Sequence, residues 1–430
     1  MILYILSMLW ALFALCAFLY VLHHPQKFEK ISSPLLLLVT AGLCLRIIPA
    51  FVLVPVSNYD IESYRLVSQH VLAFEDVYTA QDTVRRHPYL PLQMYWMGFS
   101  QFLSSQTHPP FTSIVRLAPI TADILISLVI FFTTGRRFKR YPPLWAALLY
   151  ALNPLSIYVS AFHGQFDAIP ALFILLAIRS ANNQAPGSSG FWLGLGILVK
   201  SWPVLAFPSL FLFFRNTKQK ILFLILSGLV PVLGILVYSW LYDARILTVI
   251  KRALTYNNQG IGSWGYTYLL RMVGLFWSDA LPFVNSYFSV AKYVTVLGLF
   301  VIWFFVARKQ DLFARMLTIL VALMAFFHAF SIQYLIWLLP FAILNNQIRW
   351  LKWYTLAAFS YMFLTYHTLI LRDTITQFMS VSQADVYLIT PTSLPAWLIT
   401  LAWLWNLVRA NRGMPEQSLS TSPLDYVAKS

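Results

Sequence analysis

Acidic residues are scarce in this chain. Only 15 Asp and Glu stand against 30 Lys and Arg in 430 residues, and charged residues of both signs make up 10%. A soluble domain carries about 25% charged residues, so a soluble globular protein is excluded. Apolar sequence takes the place of charge: 59% of the chain is hydrophobic and the mean hydropathy is +0.68. Cysteine is nearly missing too. Cys16 and Cys44 both sit inside apolar runs, which argues against a disulfide framework or a cysteine-based metal site. Roughly the first 22 residues lack a basic leading segment and a small-residue cleavage site, so they read as a retained span rather than a signal peptide. No internal repeat is evident. The net charge of +15 is not a nucleic-acid signature, because the basic residues fall in short runs between apolar segments. Such a chain favours anionic lipid headgroups, and no nucleic-acid partner is expected.

These features define an all-α polytopic membrane protein. Apolar runs of roughly 20 residues occur at about 1–22, 34–56, 113–133, 142–162, 220–241, 283–306, 313–330, 350–371 and 394–410. Shorter runs at about 167–180, 190–202, 203–214 and 332–345 are too brief to cross unaided and predict broken helices around an internal cavity. Basic loops follow Lys27 and Lys30, Arg136 to Arg140, Arg215 to Lys220, Arg308-Lys309, and Arg349 to Lys352. All of them fall on one side, the cytoplasmic one, if the chain crosses about 13 times with its N-terminus outside. The opposite side then holds long aromatic loops at about 57–112, 242–282 and 372–393, suited to short interfacial helices. Residues 1–410 read as one membrane domain, and 411–430 as a polar, disordered cytoplasmic tail.

Asp60 and Glu62 stand just after the second run, at the mouth of the loop 57–112. Carboxylates near membrane depth are costly, so a general base for a hydroxyl acceptor, or part of a metal site, fits this pair. An ordinary interfacial carboxylate at a helix start fits as well. The same loop carries Arg85-Arg86-His87-Pro88-Tyr89, a basic triplet on the non-cytoplasmic side, where either a bound anion or a solvated patch is consistent. His163, Gln165 and Asp167 interrupt a membrane hairpin and can line a polar cavity, with Asp167 also in position to cap the next helix. Lys200 lies within an apolar stretch and needs a partner, either a phosphate or one of Asp123 and Asp167. His328, Gln333 and Tyr334 mark another outer break, and Arg271 adds a cation in an amphipathic stretch.

Taken in order, these segments resemble the GT-C superfamily of integral-membrane glycosyltransferases over about residues 55–340. Asp60-Ile61-Glu62 matches the superfamily's Asp-x-Glu. His87-Pro88-Tyr89-Leu90-Pro91-Leu92 is similar to its Tyr-Pro-Pro-Leu element, with Leu90 in place of a proline. Asn153-Pro154 and then His163-Gly164-Gln165-Phe166-Asp167 resemble a His-x-Gln-x-Asn/Asp segment of lipid-phosphate-sugar-dependent glucosyl- and mannosyltransferases. Gly196, Lys200, Trp202, Pro203 and Pro208 resemble a Gly-x-x-x-Lys-x-x-Pro pattern, and Gln333-Tyr334-Leu335-Ile336-Trp337 a Ser-x-Gln-Tyr-x-x-Trp element. The extra first span departs from the commonest start of the superfamily.

The resemblance implies inverting transfer of a hexose, mannose or glucose, from a polyprenyl-phosphate donor to a hydroxyl of a lipid or glycan acceptor. Asp60 would be the base. Lys200, with Arg271 or His328, would neutralise the leaving phosphate, and His163, Gln165, Asp167, Gln333 and Tyr334 would line the donor pocket. His87 and Tyr89 would belong to the acceptor loop. No cofactor is required, although Glu62 beside Asp60 leaves room for Mg²⁺ or Mn²⁺. A polyprenol-linked lipid flippase or transporter is the alternative, since it too needs broken helices and a buried cation. A non-catalytic scaffold would leave the clustered polar breaks unexplained. Short loops and few glycosylation sequons favour a bacterial inner membrane, with the endoplasmic reticulum as the other compartment.

Overall fold

The computed structural model describes residues 2–53, 58–137, 141–255, 261–370 and 376–412. The expected disordered tail and part of the basic loop at Arg136–Arg140 lie outside them. Among the described residues the architecture is all-α, with one isolated β-bridge between Ile261 and Ala329. The chain begins with two apolar helices, α1 (Ile2–His23) and α2 (Pro34–Ile48). The first long loop folds into α3 (Tyr59–Leu72) and α4 (Leu92–Gln106). A short α5 (Phe111–Ile114) leads into α6 (Leu117–Arg137). Next come α7 (Pro143–Ala151) and α8 (Pro154–Ile157), the latter continued by a π-helical turn, Tyr158–His163. Two short helices follow, α9 (Ala168–Asn182) and α10 (Pro186–Val199), then α11 (Phe207–Phe213) and α12 (Thr217–Leu241). The second half holds α13 (Ile246–Thr255), α14 (Gly265–Phe276), α15 (Leu281–Phe305), α16 (Leu312–Phe326), α17 (Leu339–Leu344), α18 (Ile348–Ile370) and a final helix, Leu394–Arg412.

Six helical stretches are long and apolar enough to cross a membrane, and a bent pair makes a seventh crossing. Five shorter apolar helices lie among them, as the short runs led one to expect. With α18 included, the expected count of about 13 segments holds to a first approximation. One expectation is corrected. The run at about 142–162 is not one straight span but two pieces, Pro143–Ala151 and Pro154–His163, bent by 44°. Pro154 cannot supply an N–H to continue the ladder, and Asn153 starts the next piece by accepting from Leu155 N at 3.0 Å. Every residue from Leu144 to Ala151 is buried, as is most of α16, so this bent span is the centre of the packed bundle. Its second piece carries the segment that forms the site.

Candidate functional site

The first turn of α3 is held by Asn58. Its side-chain oxygen accepts from Asp60 N at 3.0 Å and Ile61 N at 2.9 Å, and its Nδ2 donates to the His163 carbonyl at 2.9 Å. One residue thus caps the helix and docks it on the bent span. Gly164, with φ +84, turns the chain there. A Cβ at this position would fall 2.7 Å from Ile61 Cδ1 and 3.0 Å from Arg116 Cγ, so glycine is required. The turn aims two side chains at one oxygen. His163 Nε2 lies 2.6 Å from Asp60 Oδ2, and Gln165 Nε2 donates to the same atom at 2.7 Å. Asp60 Oδ1 has no hydrogen bond among the described residues, and the Asp60 side chain is 31% exposed. Burial pushes the Asp60 carboxyl upward, but the His163 and Gln165 hydrogen bonds and the charge of Lys200 outweigh it and hold the group below its ordinary range. At neutral pH Asp60 is therefore an ionised carboxylate with one oxygen anchored and the other open.

Lys200 ends α10, and its charge reaches the Asp60 carboxylate. Its ammonium donates to both oxygens of Asp167, at 2.8 and 2.7 Å, and Trp337 Nε1 donates to Asp167 Oδ1 at 2.7 Å. The rings of Phe166, Tyr89 and Tyr334 lie 5.0, 5.2 and 5.7 Å from the Lys200 nitrogen. Trp202 stacks on Trp337 at 4.4 Å and completes the wall. Tyr64, one turn beyond Asp60, lies between the two halves. Burial, then the nearby Asp60, Tyr89 and Asp167, push its phenol well above the ordinary range.

The sequence left the partner of Lys200 open between phosphate, Asp123 and Asp167. The protein supplies Asp167, and Asp123 is engaged elsewhere. Asp167 does occupy the N-cap position of α9, yet its side chain makes no capping bond, because both oxygens are taken by the ion pair. Glu62 does not join Asp60. Residues two apart on a helix do not share a face, and Glu62 pairs with Arg65 at 2.6 Å on the exposed side. Among the described residues no group of three or more His, Cys, Asp or Glu side chains is arranged to hold a metal ion. Arg271 and His328 have other partners, Asp385 at 3.0 Å and Thr295 Oγ1 at 3.1 Å, and no described bond ties either to Asp60, Asp167 or Lys200. His87 is buried edge-on to Tyr78 and Tyr89, and burial pulls it down to about 3, so it is neutral and the basic triplet reduces to Arg85 and Arg86. Gln333 is buried in the 3₁₀ segment Ile332–Ile336, with Tyr334 packed on Trp337 at 4.2 Å.

Four polar side chains that hold the bent span escaped the sequence. Arg46 is fully buried and donates to Asp123 Oδ2 at 2.9 Å, to the Ala151 carbonyl at 2.7 Å and to Ser156 Oγ at 2.7 Å. Tyr150 donates to the other Asp123 oxygen at 2.7 Å. This network straddles the bend of the central span. Arg116 holds the far end of the same span through the Phe162 carbonyl at 2.9 Å. Tyr366, near the end of α18, hydrogen-bonds His163 Nδ1. A lone arginine inside an apolar run was a usable signal for Arg46. No sequence pattern marks Tyr366.

A multi-pass helical bundle with a carboxylate and a buried lysine gathered at one end of its broken helices is the architecture of a GT-C-like membrane glycosyltransferase. The chain belongs to glycosyltransferase family 87, whose family model matches residues 109–331, more than half of its length. His163, Gln165, Asp167, Lys200, Arg271 and His328 fall within that stretch, while Asp60 and Tyr366 fall outside it. GPI mannosyltransferase 1 of Debaryomyces hansenii is 24% identical over 155 residues, 35% of this chain. The chain spans 34% of that protein's length.

Proposed function

We propose that the protein transfers a hexose, with mannose favoured by the likeness to a mannosyltransferase, from a polyprenyl-phosphate donor to a hydroxyl of a lipid or glycan acceptor, inverting the anomeric centre. The observation that carries this is the open Oδ1 of Asp60, on a carboxylate whose other oxygen is anchored by His163 and Gln165. Oδ1 takes the proton of the acceptor hydroxyl as its oxygen attacks the anomeric carbon. The bond from that carbon to the phosphate oxygen breaks, and polyprenyl phosphate leaves with the electron pair. Two of the three Lys200 N–H groups go to Asp167, which leaves one for an oxygen of the departing phosphate. Arg271 and His328, bound elsewhere, are left out of this step.

The reaction is assigned to the extracytoplasmic face. The support is the basic loops, several of which come together in the fold: Lys352 contacts His23 at 3.0 Å, and Arg137 pairs with Asp311 at 2.8 Å. In this topology the N-terminus is outside and the C-terminal helix ends in the cytoplasm. The inner membrane of a bacterium is the favoured compartment.

The test is Asp60→Asn, assayed with a radiolabelled polyprenyl-phosphate sugar in reconstituted membranes. The amide keeps the shape but cannot take a proton, so transfer should fall at least about 100-fold with donor binding nearly intact. Substantial transfer by this variant would sink the assignment. Movement of the labelled lipid across the bilayer without cleavage would instead indicate a flippase.

A further inference from the structure

We propose that Tyr366 is a positioning residue that fixes the tautomer of His163 and, through it, keeps Asp60 an unprotonated base with Oδ1 turned to the cavity. This rests on the reading of Asp60 as the base. The argument is one of proton counting. Asp60 is ionised and can only accept, so a hydrogen at His163 Nε2, 2.6 Å from Asp60 Oδ2, completes that bond, and it is held there as long as Nδ1 has a donor of its own. In the neutral ring Nδ1 then carries a lone pair. The Tyr366 hydroxyl is bonded to Nδ1 and donates its hydrogen there. A carboxylate, an imidazole and a phenol thus form a line in which each proton has one place to be. The hydroxyl, imidazole and carboxylate belong to α18, the bent span and α3, three elements far apart in the chain.

The phenol is itself held. The Tyr366 ring stacks on Tyr158 at 5.3 Å with planes 10° apart, and the Tyr158 hydroxyl bonds His367 Nε2 at 2.8 Å. Tyr366 lies edge-on to His163 at 5.2 Å, so the imidazole has contact on one side and a hydrogen bond at each nitrogen. Tyr158 comes from the same π-helical turn that ends in His163. The turn therefore contributes both the imidazole and the platform that orients its partner. A partner that orients a metal-binding histidine through its other ring nitrogen costs about 10- to 100-fold in affinity or activity when removed, and the same scale is taken for Tyr366 behind His163.

The experiment compares wild-type protein with Tyr366→Phe in detergent, using radiolabelled polyprenyl-phosphate mannose as donor and ¹⁵N-histidine NMR. The chain has 8 histidines, and His163→Gln identifies the signals of His163. The expected result is a kcat lower by about 10- to 100-fold, donor KM changed by less than about twofold and an unchanged melting temperature. The ¹⁵N signals of His163 should move from a single Nε2–H tautomer toward a mixture. Unchanged histidine signals, or unchanged kcat, would overturn the proposal. So would a kcat loss matched by equal losses of melting temperature and donor affinity, since that describes a packing residue. An active Asp60→Asn enzyme is a separate outcome: it defeats the base assignment, while the tautomer signals still decide what Tyr366 does to His163.

Discussion

The protein buries two ion pairs that look alike in composition and differ in what they leave over. Arg46–Asp123 and Lys200–Asp167 are both at least 95% shielded from solvent. Around Arg46 four of the five N–H groups are bonded, each to a different partner: besides Asp123, the guanidinium reaches the Gly42 and Ala151 carbonyls and Ser156, and Tyr150 takes the second carboxylate oxygen. Around Lys200 one residue takes both bonds. The ammonium spends two donors on Asp167 and turns the third toward aromatic faces. Desolvating a charge is tolerable only when its hydrogen-bonding capacity is met. Arg46, at zero exposure, has four of its five donors tied to four separate protein groups and so serves as architecture, bracing the bend that delivers His163. Lys200 has its third N–H facing aromatic rings, within reach of the Asp60 charge, which suits the phosphate role proposed for it.

Removing each cation in turn separates these roles. Arg46→Met should have the largest effect on stability, because it strands the Asp123 carboxylate at zero exposure and frees the Ala151 carbonyl. A loss of about 3–5 kcal/mol is expected in thermal unfolding in detergent, partly recovered by also changing Asp123 to Asn. An unchanged melting curve would erase the contrast. Lys200→Met should cost less in the apo protein, roughly 2–3 kcal/mol, since it removes two hydrogen bonds where Arg46→Met removes four. Adding Asp167→Asn should restore stability but not donor binding. If the double variant recovers transfer as well, Lys200 is structural like Arg46.

A third, exposed cluster sets the lower end of the series. His70 bridges Glu75 at 2.6 Å and Asp82 at 2.8 Å on the loop side of α3. Burial pulls its pKa down, but the hydrogen bonds to the two carboxylates outweigh this and raise it above the ordinary value. A raised folded value means the stabilisation is complete below the ordinary histidine pKa of 6.5 and fades as pH rises through the folded value. The melting temperature of wild type minus that of His70→Gln should therefore shrink as pH increases. Its maximum should correspond to less than about 1 kcal/mol, because Glu75 and Asp82 are largely solvated. A gap that widens with pH would contradict the sign.

The spans and the short broken helices were legible, and Asp60, His163, Gln165 and Lys200 could be singled out as candidates, because each departs visibly from its surroundings: apolar length, or a polar group interrupting it. Pairings were not. Arg46 meets Asp123 across 77 positions and Tyr366 meets His163 across 203. Hydropathy cannot say which buried polar groups find each other over such distances. Glu62 misled because adjacency in sequence suggested a carboxylate pair, whereas helical geometry turns it away from Asp60. His87 misled because a histidine beside two arginines reads as a cation until its burial is seen.

Helices α9 and α10 have 15 and 14 residues, which at 1.5 Å per residue makes them about 22 and 21 Å long. A hydrocarbon core is about 30 Å thick. Asp167 begins the first of these helices and Lys200 ends the second, so with their far ends at the opposite interface both groups lie about 8 Å beneath the headgroup level on their own side. The site is then a well sunk into one leaflet. A phosphate carried on a lipid chain, as in the proposed donor, would reach that depth sideways, without leaving the bilayer, whereas a water-soluble sugar phosphate would have to descend into it.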